Sequence, residues 1–259
     1  MTNFFKTPFE LSVTKKICLS AFFIVLVTLF NKVIAINYIP VIPFVRLSFG
    51  SIALLIFASI IFGPLYGMVI GASADLLGYF VFDASSFGWF FQITLVYALL
   101  GFVPFFIYKL VTLIKNEKLM MIIEYSFMSV VIALLTLYFI FNETLTMYGT
   151  TYHFEIWQRV LIPSLALVLF ALIVISNIFI KKGDTSKSFL NIYQISFVVF
   201  ISEIIVNFLF GALMKSWAFG FNMFLAIIIS QGVLMFFNIP YNTYMIFVIM
   251  KISKRFLIK

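Results

Sequence analysis

Long apolar runs alternate with short polar breaks along the whole of this chain. Eight runs stand out, at residues 17–36, 47–62, 67–82, 91–110, 119–141, 159–180, 190–213 and 222–250. They are continuous rather than alternating with a period of two, so they predict helices and not the strands of a barrel. Most approach the roughly 20 residues that a helix needs to cross a hydrocarbon layer about 30 Å thick. The second and third are shorter and are joined by GPLYG, residues 63–67, which predicts a tight hairpin or two tilted, closely packed helices. The last run is long and contains Pro240, which predicts a kink or an interfacial start. The pattern as a whole predicts an all-α, polytopic membrane helical bundle of about eight spans.

Composition strengthens this reading. Of 259 residues, 64% are hydrophobic and 10% charged, and the mean hydropathy is +1.19, far above that of a soluble domain. The net charge of +8 does not point to nucleic acid, because the basic residues gather at the ends of runs. With the amino terminus inside, thirteen of the seventeen Lys and Arg residues fall in cytoplasmic segments, as the positive-inside rule requires. Both termini are then cytoplasmic. The four exceptions, Lys32, Arg46, Arg159 and Lys215, lie near outer span ends, where Asp83, Glu143, His153 and Glu155 also fall. The run after Lys15 and Lys16 has no convincing small-x-small cleavage site and reads as an uncleaved first span. The single cysteine, Cys18, has no disulfide partner or metal-ligand spacing and reads as a small apolar helix residue.

A few polar residues interrupt the runs. Gly67, Gly71, Ala74 and Gly78 give the third run a small face suited to close helix contact, and Asp75 sits among them. A carboxylate at that depth must be protonated, paired or turned toward a polar cavity. It is either bonded to a neighbouring helix or part of a substrate cavity. Glu203 raises the same question, and Asn207, four residues on, shares its helical face. The aromatic clusters Phe87, Trp89, Phe90, Phe91 and Trp217, Phe219, Phe221 mark outer span ends, as interfacial anchors or as walls for a flat ligand. His153 has only Glu155 nearby, so a metal site is not expected. No nucleotide-binding loop, zinc-protease or nucleophile-elbow motif is present.

Four stretches then form a connected string. They are Arg46, Ser48, Phe49 and Gly50; Gly63, Pro64 and Gly67; Gly71, Ala72, Ala74, Asp75, Leu76 and Gly78; and Thr94, Leu95, Ala98, Leu99 and Gly101. The string resembles helices 2 to 4 of the substrate-binding S components of energy-coupling factor (ECF) vitamin transporters, in particular the folate-type members. A weaker similarity runs from Ser202 to Tyr244, over SEIIVNFLFGALMKSWAFGF and Pro240. The resemblance implies S-component-like helices 1 to 4 over residues 1–115, an inserted helix pair with an outer loop over 116–189, and S-component-like last helices over 190–259, all in one membrane domain. Leu100 and Gln231 stand where folate-type members carry arginine, and Val25 where the usual first-helix alanine pair would have its second member.

The resemblance implies a vitamin-binding subunit of a bacterial plasma membrane importer, most closely for folate or a related pterin, with the vitamin's identity open. It implies no catalysis and no cofactor in this chain. ATP would be used by two cytoplasmic ATPase subunits acting through a transmembrane coupling subunit. Expected substrate contacts are Arg46 on an anionic group, Gln92 and Thr94 on a heterocycle edge, Trp89, Phe91 and Trp217 in stacking, and Asn207. Asp75 and Glu203 are expected as polar residues within the membrane, and Ala21, Val25, Gly67 and Gly71 at the docking face. Two other classes remain open: an ion-gradient-driven secondary transporter, and a membrane enzyme using Asp75 or Glu203.

Overall fold

The computed structural model describes residues 7–8, 11–36, 47–83, 88–114, 116–147, 149–183 and 190–257. Among them, seven helical segments are long and apolar enough to cross a membrane, and an eighth, shorter apolar helix accompanies them. All eight predicted runs are helical, and the chain is an all-α polytopic membrane bundle.

Helix α1 spans Val13–Lys32, capped by Ser12, whose Oγ accepts from Lys15 N. Lys32 lies in its last turn, where the carbonyl ends favour a cation. Beyond it, Ile36 and Leu47 exchange a pair of backbone hydrogen bonds. Helix α2, Ser51–Phe62, has all twelve residues buried. At about 1.5 Å per residue it is too short to span the bilayer alone, and its uniformly apolar surface suits the centre of the bundle. Gly63, at φ +98°, joins it to α3, Pro64–Gly78, with Pro64 at the first helical position, where its missing N–H costs nothing. The end of α3 continues as a π-helical turn, Tyr79–Asp83.

Helix α4, Phe91–Leu113, lies tightly along α3. A methyl group added at Gly67 would sit 2.0 Å from the Gly101 carbonyl oxygen, and one at Gly71 2.1 Å from that of Tyr97. The two backbones are therefore in direct contact, which only glycine permits. Beside Pro104, the Phe105 N–H donates to Ser59 Oγ at 3.1 Å, tying α4 to α2. Thr28 Oγ1 donates to the carbonyls of Ile24 (2.8 Å) and Ala74 (3.1 Å), tying α1 to α3.

Helices α5 (Glu117–Phe141) and α6 (Ile156–Gly183) come next, and they pack against each other. On α5 the buried residues Met120, Glu124, Met128, Val131, Leu135 and Phe139 recur every three or four positions, making one inward stripe. The pair packs against α7 and α9, away from α1–α4. Its outer connection is more ordered than the predicted loop. Strands β1, Thr144–Met147, and β2, Thr150–His153, form an antiparallel hairpin with Gly149 at φ +77° in the turn. Their β-branched threonines suit extended backbone.

Helix α7, Ile192–Ser202, starts at a capping box in which Asn191 Oδ1 accepts from Gln194 N (2.9 Å) and Gln194 Oε1 from Asn191 N (3.1 Å). It runs into a π-helical segment, Glu203–Phe210, and then into α8, Gly211–Phe219. After a 3₁₀ turn at Phe221–Met223, α9 extends over Phe224–Leu257. It continues through Pro240 as one helix. Transmembrane helices tolerate proline where neighbouring elements satisfy the freed backbone.

Candidate functional site

Where α3 ends and α4 begins, the Thr94 hydroxyl donates to Asp75 Oδ2 at 2.6 Å and accepts from Trp89 Nε1 at 3.0 Å. Asp75 is 6% exposed, whereas Trp89 is 49% exposed, so this chain of bonds runs from the rim into the bundle. A single hydroxyl can hold both partners because it is donor and acceptor at once. The side-chain stem of Lys32 packs against Gly78, one turn from Asp75. Phe91 and Trp217 meet edge to face at 5.4 Å, and Phe90 and Phe219 lie 4.9 Å apart, joining α4 to α8. Of the expected substrate contacts, Trp89, Thr94, Phe91 and Trp217 thus gather at one end, with Gln92 buried among the first residues of α4. Arg46 lies outside the described residues.

Asn207 does not join them. Its Nδ2 donates to Glu203 Oε2 at 2.7 Å, deeper in the bundle. Glu203 is 2% exposed and also accepts from Asn242 Nδ2 at 3.4 Å, with Asn238 beside it. The shared face read from the four-residue spacing is present, although the segment is π-helical. The two asparagines of α9 were legible only as an i, i+4 polar pair flanking Pro240. Lys215, expected at the outer rim, is half-buried on α8.

A third intramembrane acid was missed. Glu124 of α5, 2% exposed, accepts from Ser196 of α7 at 2.6 Å. Asn177 of α6 donates to the Tyr125 hydroxyl at 3.3 Å, and Asn191 to Glu117 Oε1 at 2.7 Å near the end of the same helices. The signal available was the one that marked Asp75, a carboxylate inside an apolar run. The Glu124 and Glu117 bonds fasten α5 to α7, and the Asn177 bond fastens α6 to α5.

On the expected docking face, Ala21 and Val25 are exposed on α1. Gly67 and Gly71 are not available there, because both are buried in the α3–α4 seam against backbone that leaves no room even for a methyl group. Their small face serves packing within the chain. Among the described residues, no three His, Cys, Asp or Glu side chains converge as a metal site would require. Comparison with family models, with curated proteins and with solved structures returned no match.

Proposed function

We propose that this chain is the membrane-embedded, substrate-binding subunit of an ECF-type importer, taking a vitamin from outside and working with a separate coupling subunit and two ATPases. The observation that carries this reading is the outer-end assembly of Trp89, Thr94 and Asp75 beside Phe91 and Trp217. It joins aromatic walls to a few fixed polar groups, the usual make-up of a small-molecule site. The connected motif string from Arg46 to Gly101 supports the same reading. Under it, Trp89, Phe91 and Trp217 flank a flat ring, Thr94 and Gln92 meet its polar edge, and Arg46 pairs with an anionic substituent.

The test is mass spectrometry of the small molecule that co-purifies with the full chain in mild detergent. A pterin supports the folate branch, a flavin or another vitamin redirects it, and turnover without partner subunits favours the enzyme class instead. The Arg46→Ala variant is expected to weaken binding at least tenfold, and unchanged affinity removes Arg46 from the site.

A further inference from the structure

We propose that Glu203, with Asn207, Asn238 and Asn242, forms a clasp that keeps one extra residue wound into the helix between α7 and α8, and so positions Trp217 and Phe219 against Phe91 and Phe90. This rests on the substrate-binding reading in one respect: under it, Glu203 acts on the ligand through Trp217 and without touching it.

A π turn closes over five residues rather than four, so it takes in one residue more than an α turn. The turns over Glu203–Phe210 are of this kind, and the Gly211 N–H donates to Val206 O, five residues back. Everything beyond them is set back by one residue, about 100° of rotation, relative to an unbroken α-helix. The residues of α8 show what the offset does. Gly211, Ala212 and Ser216 are buried, with Gly211 close to Val96 of α4, while Leu213 and Trp217 are exposed. Trp217 meets Phe91 at 5.4 Å, and Phe219 meets Phe90 at 4.9 Å. Wound throughout as α-helix, each residue of α8 would take the place that its successor now holds. Phe210 would then stand against Val96, and Lys215 would enter the buried place of Ser216. Ser216 and Ala218 would face Phe91 and Phe90 instead of Trp217 and Phe219. Both aromatic pairs that join α4 to α8 therefore depend on a one-residue offset.

The offset is held where it begins. At the entry to the segment, buried Ser202 Oγ donates to Val198 O at 2.6 Å, and the Glu203 N–H is shared between the Val199 and Phe200 carbonyls. Such back-bonding loosens the regular ladder and bends a helix. Glu203 then grips both sides. Its Oε2 accepts from Asn207 Nδ2 at 2.7 Å, and its Oε1 from Asn242 Nδ2 of α9 at 3.4 Å, with Asn238 of the same helix beside it. The first and fifth residues of the π segment are thus tied to α9 through one carboxylate. Neither can rotate without breaking bonds in a place where no water replaces them, since Glu203 is 2% exposed and Asn242 1%. The cost of leaving those groups unpaired opposes a return to plain α-helix, and α8 beyond them keeps its setting.

The experiment removes the extra residue. Leu209 is 53% exposed on the π segment, and its deletion leaves an unbroken α-helix that delivers Trp217 to the same place. With Trp89 and Trp157 replaced by phenylalanine in the full chain, purified in mild detergent, Trp217 is the one tryptophan left, and its emission reports the Phe91 contact. Glu203→Leu is expected to shift that emission to where Phe91→Ala puts it. Glu203→Gln, which keeps an acceptor for the asparagines, is expected to shift it less, and deletion of Leu209 not at all. In the chain lacking Leu209, Glu203→Leu is expected to have no effect on the emission, because no offset is left to hold. In chains that keep all three tryptophans, calorimetry with pterin should follow the same order, with a loss of about tenfold for Glu203→Leu, the worth of one aromatic contact. Should Glu203→Leu fail to fold, its recovery on deletion of Leu209 carries the same meaning. Emission unmoved by Glu203→Leu, an equal shift with and without Leu209, a Leu209 deletion that itself loses the Phe91 contact, or a Glu203→Leu chain that unfolds in both backgrounds overturns the inference. Failure of every chain to bind pterin counts against the folate reading and leaves the emission to decide the inference.

Discussion

Asp75 and Thr94 share a hydrogen bond, but substitution at its two ends has different consequences. Thr94→Val removes the donor to Asp75 and the acceptor of Trp89 together, because one oxygen serves both. The expected loss is about 1–3 kcal/mol of stability, read as a lowered thermal midpoint in detergent, with a changed emission from Trp89. Asp75→Asn keeps an acceptor for Thr94 and is expected to lower stability less while leaving ligand affinity within a few-fold. An Asp75→Asn variant that remains stable yet loses binding would instead make Asp75 a direct ligand contact. Arg159 is the other residue whose neighbours explain an oddity of the sequence, since it is one of the four cations that the charge pattern leaves outside the expected cytoplasmic segments. Its Nε donates to the Phe139 carbonyl at 2.8 Å, its Nη2 to the Ile140 carbonyl, and its Nη1 pairs with Glu143 at 3.0 Å. It caps the last carbonyls of α5 and pins the hairpin to them. Arg159→Lys is expected to cost nearly as much as Arg159→Ala, about 1–2 kcal/mol, because the three contacts use the planar guanidinium fork. Limited proteolysis of the hairpin would register the loss, and a fully protective lysine would show that charge alone suffices.

Elements differ in how much the sequence reveals of them. The existence and order of the spans were readable because the length of an apolar run is set by the bilayer rather than by tertiary detail. The α3–α4 seam was readable as a small-residue face, but not its owner. Gly67 and Gly71 fit a partner helix or a neighbouring one equally well until Gly101 and Tyr97 are found opposite them. Gly71→Leu should accordingly abolish a monodisperse folded peak in size exclusion. Gly88→Ala, with nothing within 4 Å of the added carbon, should leave it unchanged. A folded Gly71→Leu protein would mean that the seam can open. The π segments were not readable at all, since a bond five residues back rather than four is chosen by what the face must meet. Reading Glu203 and Asn207 as an α-helical pair found their contact but not the π-helical turns that carry it. The β-hairpin was hidden for a related reason, four-residue strands being too short to show a period.

At the scale of the molecule, the bundle divides its surfaces by use. α2 is wholly inside, α5 is fastened to α7 by Glu124–Ser196 and Glu117–Asn191, and the α3 small face is consumed by α4. What the α1 face around Ala21 and Val25 keeps is exposure, with Phe22 and Leu29 also exposed beside them. In a bilayer that surface meets either lipid or another protein, and van der Waals fit rather than a hydrophobic driving force decides between them. Lipid tolerates a bulky residue, whereas a packed helix interface does not. Replacing Ala21 and Val25 together with tryptophan should leave ligand binding by the purified chain unchanged, because neither residue reaches the outer-end assembly of Trp89, Thr94 and Trp217. Under the proposed importer reading, the same variant, expressed with a coupling subunit and ATPases, should lose uptake and no longer co-purify with them. Uptake at the original rate would show that this face meets only lipid, and would move the search for a partner surface to the exposed apolar side of α5 at Ile122, Val130 and Leu137.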